Sequence, residues 1–367
     1  MNKPLQLSPK QILIIRLSSF GDITQCIPVS YNLRKKFNQA HITWLVREKY
    51  AKLLEMNASL DEIIEIKNAD LKTIFSRITE IIRIIKIIRG RKFDIILDLH
   101  CALITNIISI FSNAAIKLGI DKRNELGFKM LEHFPLQDNK THRINAYLSV
   151  LNLLGLGNCK IEYSFKIPPK IKDQALDLLK KYNYTPKETI IALHPGTRCK
   201  IKQWEIEKFA EIASRLIIEY SAKILVIYGP EERYLEQNDA IKIFNPDLRF
   251  TACSDIKQLA AILESCDLLI GNDSGPIHLA AALKIPTVSI FGPSNHLVSS
   301  PWGEKHKVVR KDLPCSPCYG RFSVRFKCKN KNRQECLELI SVEDVLNAVE
   351  PIIKEIMDAK QKKAAGK

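Results

Sequence analysis

The feature that most constrains the fold is a rhythm. Short runs rich in branched aliphatic residues, largely apolar on both faces, alternate with longer stretches of helical periodicity along most of the 367 residues. QILIIRL (11–17), HITWLV (41–46), EIIEI (62–66), FDIILDL (93–99) and AIKLGI (115–120) make a first series. TIIALH (189–194), KILVIYG (223–229), LRFTA (248–252), DLLIG (267–271) and PTVSIFG (286–292) make a second, after KIPPKIKD (166–173). Strands that are apolar on both faces must be covered on both sides, as in a parallel sheet wound with helices. The pattern predicts an α/β chain with two doubly wound parallel-sheet domains, residues 1–165 and 166–340, and a hinge near 160–175. Residues 341–367 read as a C-terminal helix and a basic tail, with KQKKAAGK (360–367) disordered. In such folds ligands bind at the carboxyl edges of the sheets, here facing a central cleft.

Composition narrows the partners. The formal net charge of +16 calls for something negative: a nucleic acid, an anionic membrane surface, or a phosphorylated or acidic substrate. No run of eighteen apolar residues occurs, and MNKPLQLSPKQ has no apolar stretch of the signal-peptide kind, so a cytoplasmic protein is expected. Thiols stay reduced there, so clustered cysteines read as metal ligands before they read as disulfides.

Three turns carry chemistry. In LLIGNDSGPIHLAAAL the strand is expected to end at Ile270. Asp273 or Ser274 can cap the next helix, Pro276 suits its first turn, and Gly275 admits a ligand close to the backbone. Free amides at a helix start favour phosphate, although a well-capped junction with no ligand fits the same residues. In LHPGTRCKIKQW a strand ends in His194, Pro195, Gly196 and Thr197, followed by Arg198, Lys200, Lys202 and Trp204. Gly196 and Thr197 can offer a diphosphate an amide and a hydroxyl, and a lysine the countercharge; the alternative is a solvated basic loop. In IIRLSSFGDITQCIP, Ser18, Ser19, Phe20, Gly21 and Asp22 follow the first strand. Asp22 reads either as a helix N-terminal charge or as a general base for an attacking hydroxyl. The chain has no G-x-G-x-x-G fingerprint of a dinucleotide site and no Asp-x-Asp pair of the kind that holds a divalent metal on a sugar diphosphate.

Cys315, Cys318, Cys328 and Cys336 are spaced C-x2-C, nine residues, C-x7-C, a set able to close a tetrahedral zinc or iron site. A loop staple without chemistry is the other reading, and the one preferred. LKTIFSRITEIIRIIKIIRGRKFD sets isoleucines three and four apart among Arg77, Arg83, Lys86 and Arg89. That pattern fits a helix packed on a sheet or a basic amphipathic helix at a membrane surface.

Taken together, RLSSFGDITQCIP, LHPGTRCKIKQWEIEKFAEIA, DLLIGNDSGPIHLAAALKIPTVSIFGP and the late cysteines closely resemble glycosyltransferase family 9, the ADP-heptose lipopolysaccharide heptosyltransferases, over residues 11–350. The resemblance implies a GT-B fold, with two Rossmann-like domains, the first for the acceptor and the second for the nucleotide sugar. It implies an inverting, metal-independent transfer of heptose from ADP-heptose to a lipopolysaccharide inner-core acceptor. By position Asp22 falls on the catalytic base. Gly196, Thr197, Lys202, Glu232, Asp273, Ser274, Gly275 and His278 fall on the donor side, and Ser18, Ser19 and His100 on the acceptor side. The chain departs from the family in ILDLHCALITNI, where His100, Cys101 and Ile104 replace a more usual Gln or Arg, Gly and basic residue, which leaves acceptor identity open. No cofactor is required by this reading, and a zinc or iron ion at the cysteines would be structural. The implied partners are the nucleotide sugar, a lipid-anchored acidic oligosaccharide and the inner face of the cytoplasmic membrane, without nucleic acid. Within the family, protein O-heptosylation or another nucleotide sugar is the competing activity. Further off stands a basic nucleic-acid-binding protein with a four-cysteine ribbon, although the basic residues do not gather around the cysteines.

Overall fold

The structure is a computed structural model that describes residues 7–67, 73–121, 132–135, 140–185, 187–235, 248–318, 328 and 330–366. The chain divides into two compact units, Met1–Lys166 and Ile167–Lys367.

The first unit holds a six-stranded sheet: β1 (Gln11–Ile15), β2 (His41–Arg47), β3 (Glu62–Ile66), β4 (Ile95–Asp98), β5 (Ile116–Asp121) and β6 (Glu132–Pro135), in the order β3-β2-β1-β4-β5-β6. Every pairing is parallel. On one face Leu13, Ile15, Leu17, Ile64, Ile66 and Ile96 form a core with Ile84 and Ile88 of the helix Ile74–Arg91 and Ile108 of the helix Leu103–Ile110.

The second unit repeats the plan with β7 (Ile190–His194), β8 (Lys223–Tyr228), β9 (Arg249–Ala252), β10 (Leu268–Asn272), β11 (Thr287–Ile290) and β12 (His306–Val309), in the order β12-β11-β10-β7-β8-β9. Counted from its own first strand, this is the same 3-2-1-4-5-6 order, again parallel throughout. Its core takes Phe209, Ala213 and Leu216 from one face of the helix Ile206–Tyr220, and Val345, Val349, Ile352 and Ile353 from the C-terminal helix Val342–Ala364. That last helix runs through most of the basic segment read as a disordered tail. Its Ser341 cap accepts from Asp344 N–H, and Lys362 and Lys363 in the last turn suit the negative end of its dipole.

The expected strands are all present, with ends shifted by a few residues, and β10 runs on to Asn272 rather than stopping at Ile270. β6 and β12 lie outside the ten runs read from the sequence. β12 is a short edge strand with His306, Lys307 and Val308 partly or fully exposed, so it lacks the continuous apolar signature of a doubly covered strand. In an open parallel sheet the ligand crevice opens where strand order reverses, which is between β1 and β4 in one unit and between β7 and β10 in the other. Three of the special turns lie at these points.

Candidate functional site

At the first reversal β1 delivers Arg16, and the chain turns through Ser18 and Ser19 into the helix Phe20–Lys36. Ser19 is the N-cap, and Asp22 three residues on reaches back to accept from its N–H (3.3 Å) and its hydroxyl (2.8 Å). The same carboxylate pairs with Arg16 at 3.0 Å and with Arg143, first residue of the helix Arg143–Ser149, at 2.6 Å. Burial alone would raise the Asp22 carboxyl. The two guanidinium groups and Ser19 overcome it and hold the group far below the usual carboxylate range. Arg16 is fixed: it is buried, donates to the Leu99 carbonyl at 2.7 Å and stacks over the Tyr147 ring at 5.4 Å. Arg143 keeps 43 % of its side chain exposed against 6 % for Arg16. His100 follows the neighbouring β4, where its N–H and that of Cys101 donate to Asp98.

At the second reversal β7 ends in buried His194. One ring nitrogen meets Glu232 at 3.2 Å and the other the Ser274 hydroxyl at 3.2 Å, while Glu232 also accepts from Gly229 N–H at 2.9 Å. Burial would raise the Glu232 carboxyl, and His194 and the Gly229 amide outweigh it and lower it. Gly196 sits against this pair: a Cβ there would stand 2.2 Å from the Glu232 carboxylate and would displace that side chain from its place beside His194. Lys202 binds buried Asp273 at 2.7 Å and keeps it ionised against the cost of burial. Asn272, fully buried, ties the two turns together: it accepts from Trp204 N–H at 3.0 Å and donates to the Pro195 carbonyl at 2.7 Å. Thr197 closes its own loop by accepting from Cys199 N–H. Ser274, not Asp273, is the cap of the helix Gly275–Ala282, with Pro276 in its first turn and buried His278 in its second.

Cys315, Cys318, Cys328 and Cys336 line one small cavity together with Ile201 and Pro293. Burial and the three neighbouring sulfurs push the Cys336 thiol up to about 11. Among the described residues no three His, Cys, Asp or Glu side chains are arranged to hold a metal ion. The thiols are gathered without a preformed ligand geometry, so they do not fit a metal as placed.

Reading the sequence missed Arg16, Arg143 and Tyr147. Arg16 left a signal, since a charged residue ending an otherwise apolar strand run needs a buried partner. Arg143 left none, being 121 residues from Asp22 in the chain.

Two Rossmann-like units in series, each with a charged constellation at its strand-order reversal, have the architecture of the GT-B fold. The model of glycosyltransferase family 9 (heptosyltransferase) matches residues 81–329, and the chain belongs to that family. It is 24% identical over 310 residues to the lipopolysaccharide core heptosyltransferase OpsX of Haemophilus influenzae, covering 82% of this chain and 84% of that one. Among solved structures, the family 9 glycosyl transferase of Veillonella parvula superposes with a TM-score of 0.79 at 25% identity, covering 96% of this chain and 99% of that chain. The ADP-heptose lipopolysaccharide heptosyltransferase II of Escherichia coli gives 0.74 at 18%, covering 94% and 99%.

Proposed function

We propose that this glycosyltransferase moves a heptose from ADP-heptose to an inner-core sugar of lipopolysaccharide, with inversion and without a catalytic metal. The carrying observation is the Lys202–Asp273 pair beside the Ser274 helix start, locked to the His194–Glu232 pair through Ser274 and Asn272. A partly buried cation oriented by Asp273 next to helix-start amides suits a leaving diphosphate, so the countercharge that a metal could supply comes from the chain itself. The relatives suggest the sugar and the acceptor: the Haemophilus influenzae protein is a lipopolysaccharide core heptosyltransferase, and the Escherichia coli protein is an ADP-heptose lipopolysaccharide heptosyltransferase.

In this reading the first unit takes the acceptor and the second the nucleotide sugar. Asp22 receives the proton of the acceptor hydroxyl as that oxygen bonds to the anomeric carbon and ADP departs from the opposite face. A carboxylate held by two guanidinium groups is ionised but weakly basic. Arrival of an acceptor whose own acid groups draw Arg143 away would restore its basicity at the moment of transfer, making Arg143 a positioning residue. Glu232 and His194 shape the wall beside the nucleotide, and Ser18, Ser19 and His100 the acceptor side. The cysteine segment serves as scaffold for the loop that carries Lys202. The enzyme works on the cytoplasmic side; among the described residues no helix is long and apolar enough to cross a membrane.

Mass spectrometry of products from purified enzyme, ADP-heptose and lipopolysaccharide precursors or candidate proteins tests the assignment. A precursor heavier by one heptose is expected, and transfer to protein hydroxyls alone would replace the acceptor proposed. Asp22→Asn should lower turnover by roughly a hundredfold or more while leaving ADP affinity intact. Near-normal turnover would remove Asp22 as the base.

A further inference from the structure

The helix Ile74–Arg91 meets the core of its unit through one face: Ile84 and Ile88 are buried, and Ile81, Ile85 and Ile87 pack partly against the core. Its opposite face is not polar. Phe75 is 78%, Ile78 50% and Ile82 47% exposed, at the i, i+3, i+7 spacing that makes one outward stripe, and among the described residues none of the three belongs to the core. Lys86 and Arg89 continue that stripe, exposed and with no ion-pair partner among the described residues. From residue 73 to 92 the sequence carries six basic residues and one acidic, Glu80, which is buried and bound to Arg83.

The direction of the helix sets where the stripe lies. Arg91 pairs with Glu62 at the start of β3, Arg83 donates to the Glu65 carbonyl near its end, and Lys67 N–H just past its end donates to Glu80. The helix therefore runs back along the strand, and the turns before Glu80, with Phe75 and Ile78, project beyond the carboxyl edge of the sheet. Asp22 and Arg143 occupy that same edge at the end of β1. An apolar tip followed by a basic shaft matches a bilayer with anionic headgroups. The tip enters the acyl boundary, and Lys86 and Arg89 meet the phosphates. A second copy of the chain is the poorer occupant, since a +16 molecule repels its own kind.

We infer that the outward face of the helix Ile74–Arg91, Phe75, Ile78 and Ile82 with Lys86 and Arg89, docks the enzyme on an anionic membrane at the acceptor edge of its first unit. The location of that edge as the acceptor side rests on the function proposed above; the docking itself does not. Co-sedimentation of the full chain with phosphatidylcholine vesicles, with and without phosphatidylglycerol, measures it in the absence of nucleotide and acceptor, so its outcome is independent of which sugar is transferred. Binding to the anionic vesicles alone is expected. It should weaken by about tenfold or more both in Phe75→Ser/Ile82→Ser and in Lys86→Glu/Arg89→Glu, because each face contributes. Circular dichroism checks that the variants are folded. If the apolar double variant fails to fold, the charge reversal on exposed residues still decides. Absence of binding by the unaltered chain, or equal binding by the folded variants, overturns the inference. So does a loss of dimer mass by light scattering in Phe75→Ser/Ile82→Ser with vesicle binding unchanged, which would assign the stripe to a second copy.

Discussion

Asp22 shows how much of a residue's chemistry depends on partners remote in sequence. From the local motif it is a carboxylate at the third position of a helix, and its helix-cap role is visible in its bonds to Ser19. The two arginines change its acid–base behaviour, and only the fold brings Arg143 to it. The sign of the pH effect follows. A carboxyl group depressed in the folded state stabilises the fold above its ordinary value of 3.8 and loses that contribution as pH falls through the lower, folded value. Arg143→Ala removes one cause of the depression. The acidic limb of the pH profile of kcat/KM should then move upward relative to the parent enzyme, and acid unfolding should begin at higher pH. An acidic limb that stays in place would mean that Arg143 does not set the ionisation of Asp22. Arg143→Lys, which keeps a charge but not the fork, should recover part of both shifts.

Among the elements, the strands were legible where they are covered on both faces, since QILII and KILVIY mark β1 and β8 by pattern alone. Edge strand β12 was not, because exposure on one side mixes polar residues into it. The cysteine segment was legible as a cluster but not in its attachment. Ser316 donates to the Gly292 carbonyl at 2.7 Å, and Cys318 N–H donates to the Pro293 carbonyl at 3.0 Å. A Cβ on Gly292 would stand 2.6 Å from Leu337 and 3.1 Å from the Cys336 sulfur. The turn after β11 and the segment bearing Cys336 thus close on each other at a point where only glycine fits. Gly292→Ala should cost about 1–3 kcal/mol of stability by overpacking, read from denaturant unfolding. An unchanged midpoint would show that Leu337 gives way freely. Elemental analysis of the purified chain, beside Cys336→Ser, tests the metal question separately. If the thiols are a scaffold without metal, zinc and iron should be absent and the variant should lose stability only through its cavity; about one bound ion per chain would show that the sulfurs rearrange to ligate.

For the whole molecule, the two units use the same strand order yet keep separate cores, and the residues proposed for the donor all lie in Ile167–Lys367. Its last helix belongs to that unit: Val345, Leu346, Val349, Ile352 and Ile353 are buried in its core, and Trp204, which ends the loop carrying Lys202, donates its ring N–H to the Ile340 carbonyl just before that helix. Residues 167–367 produced alone should therefore fold cooperatively and bind ADP with nearly the affinity of the full chain, measured by calorimetry, while transferring no sugar because Asp22 is missing. Lys202→Ala in that fragment should weaken ADP by about 1–3 kcal/mol, the scale of a lost charge-assisted contact. Residues 167–341 should not fold, since the truncation deletes six buried aliphatic side chains of the helix, Val342, Val345, Leu346, Val349, Ile352 and Ile353, and bares the core they cover, at roughly 1.5–3 kcal/mol each, more than a domain of this size has in reserve. If the longer fragment folds but fails to bind ADP, the donor residues need the first unit to be in place, and the assignment of nucleotide binding to the second unit alone is wrong.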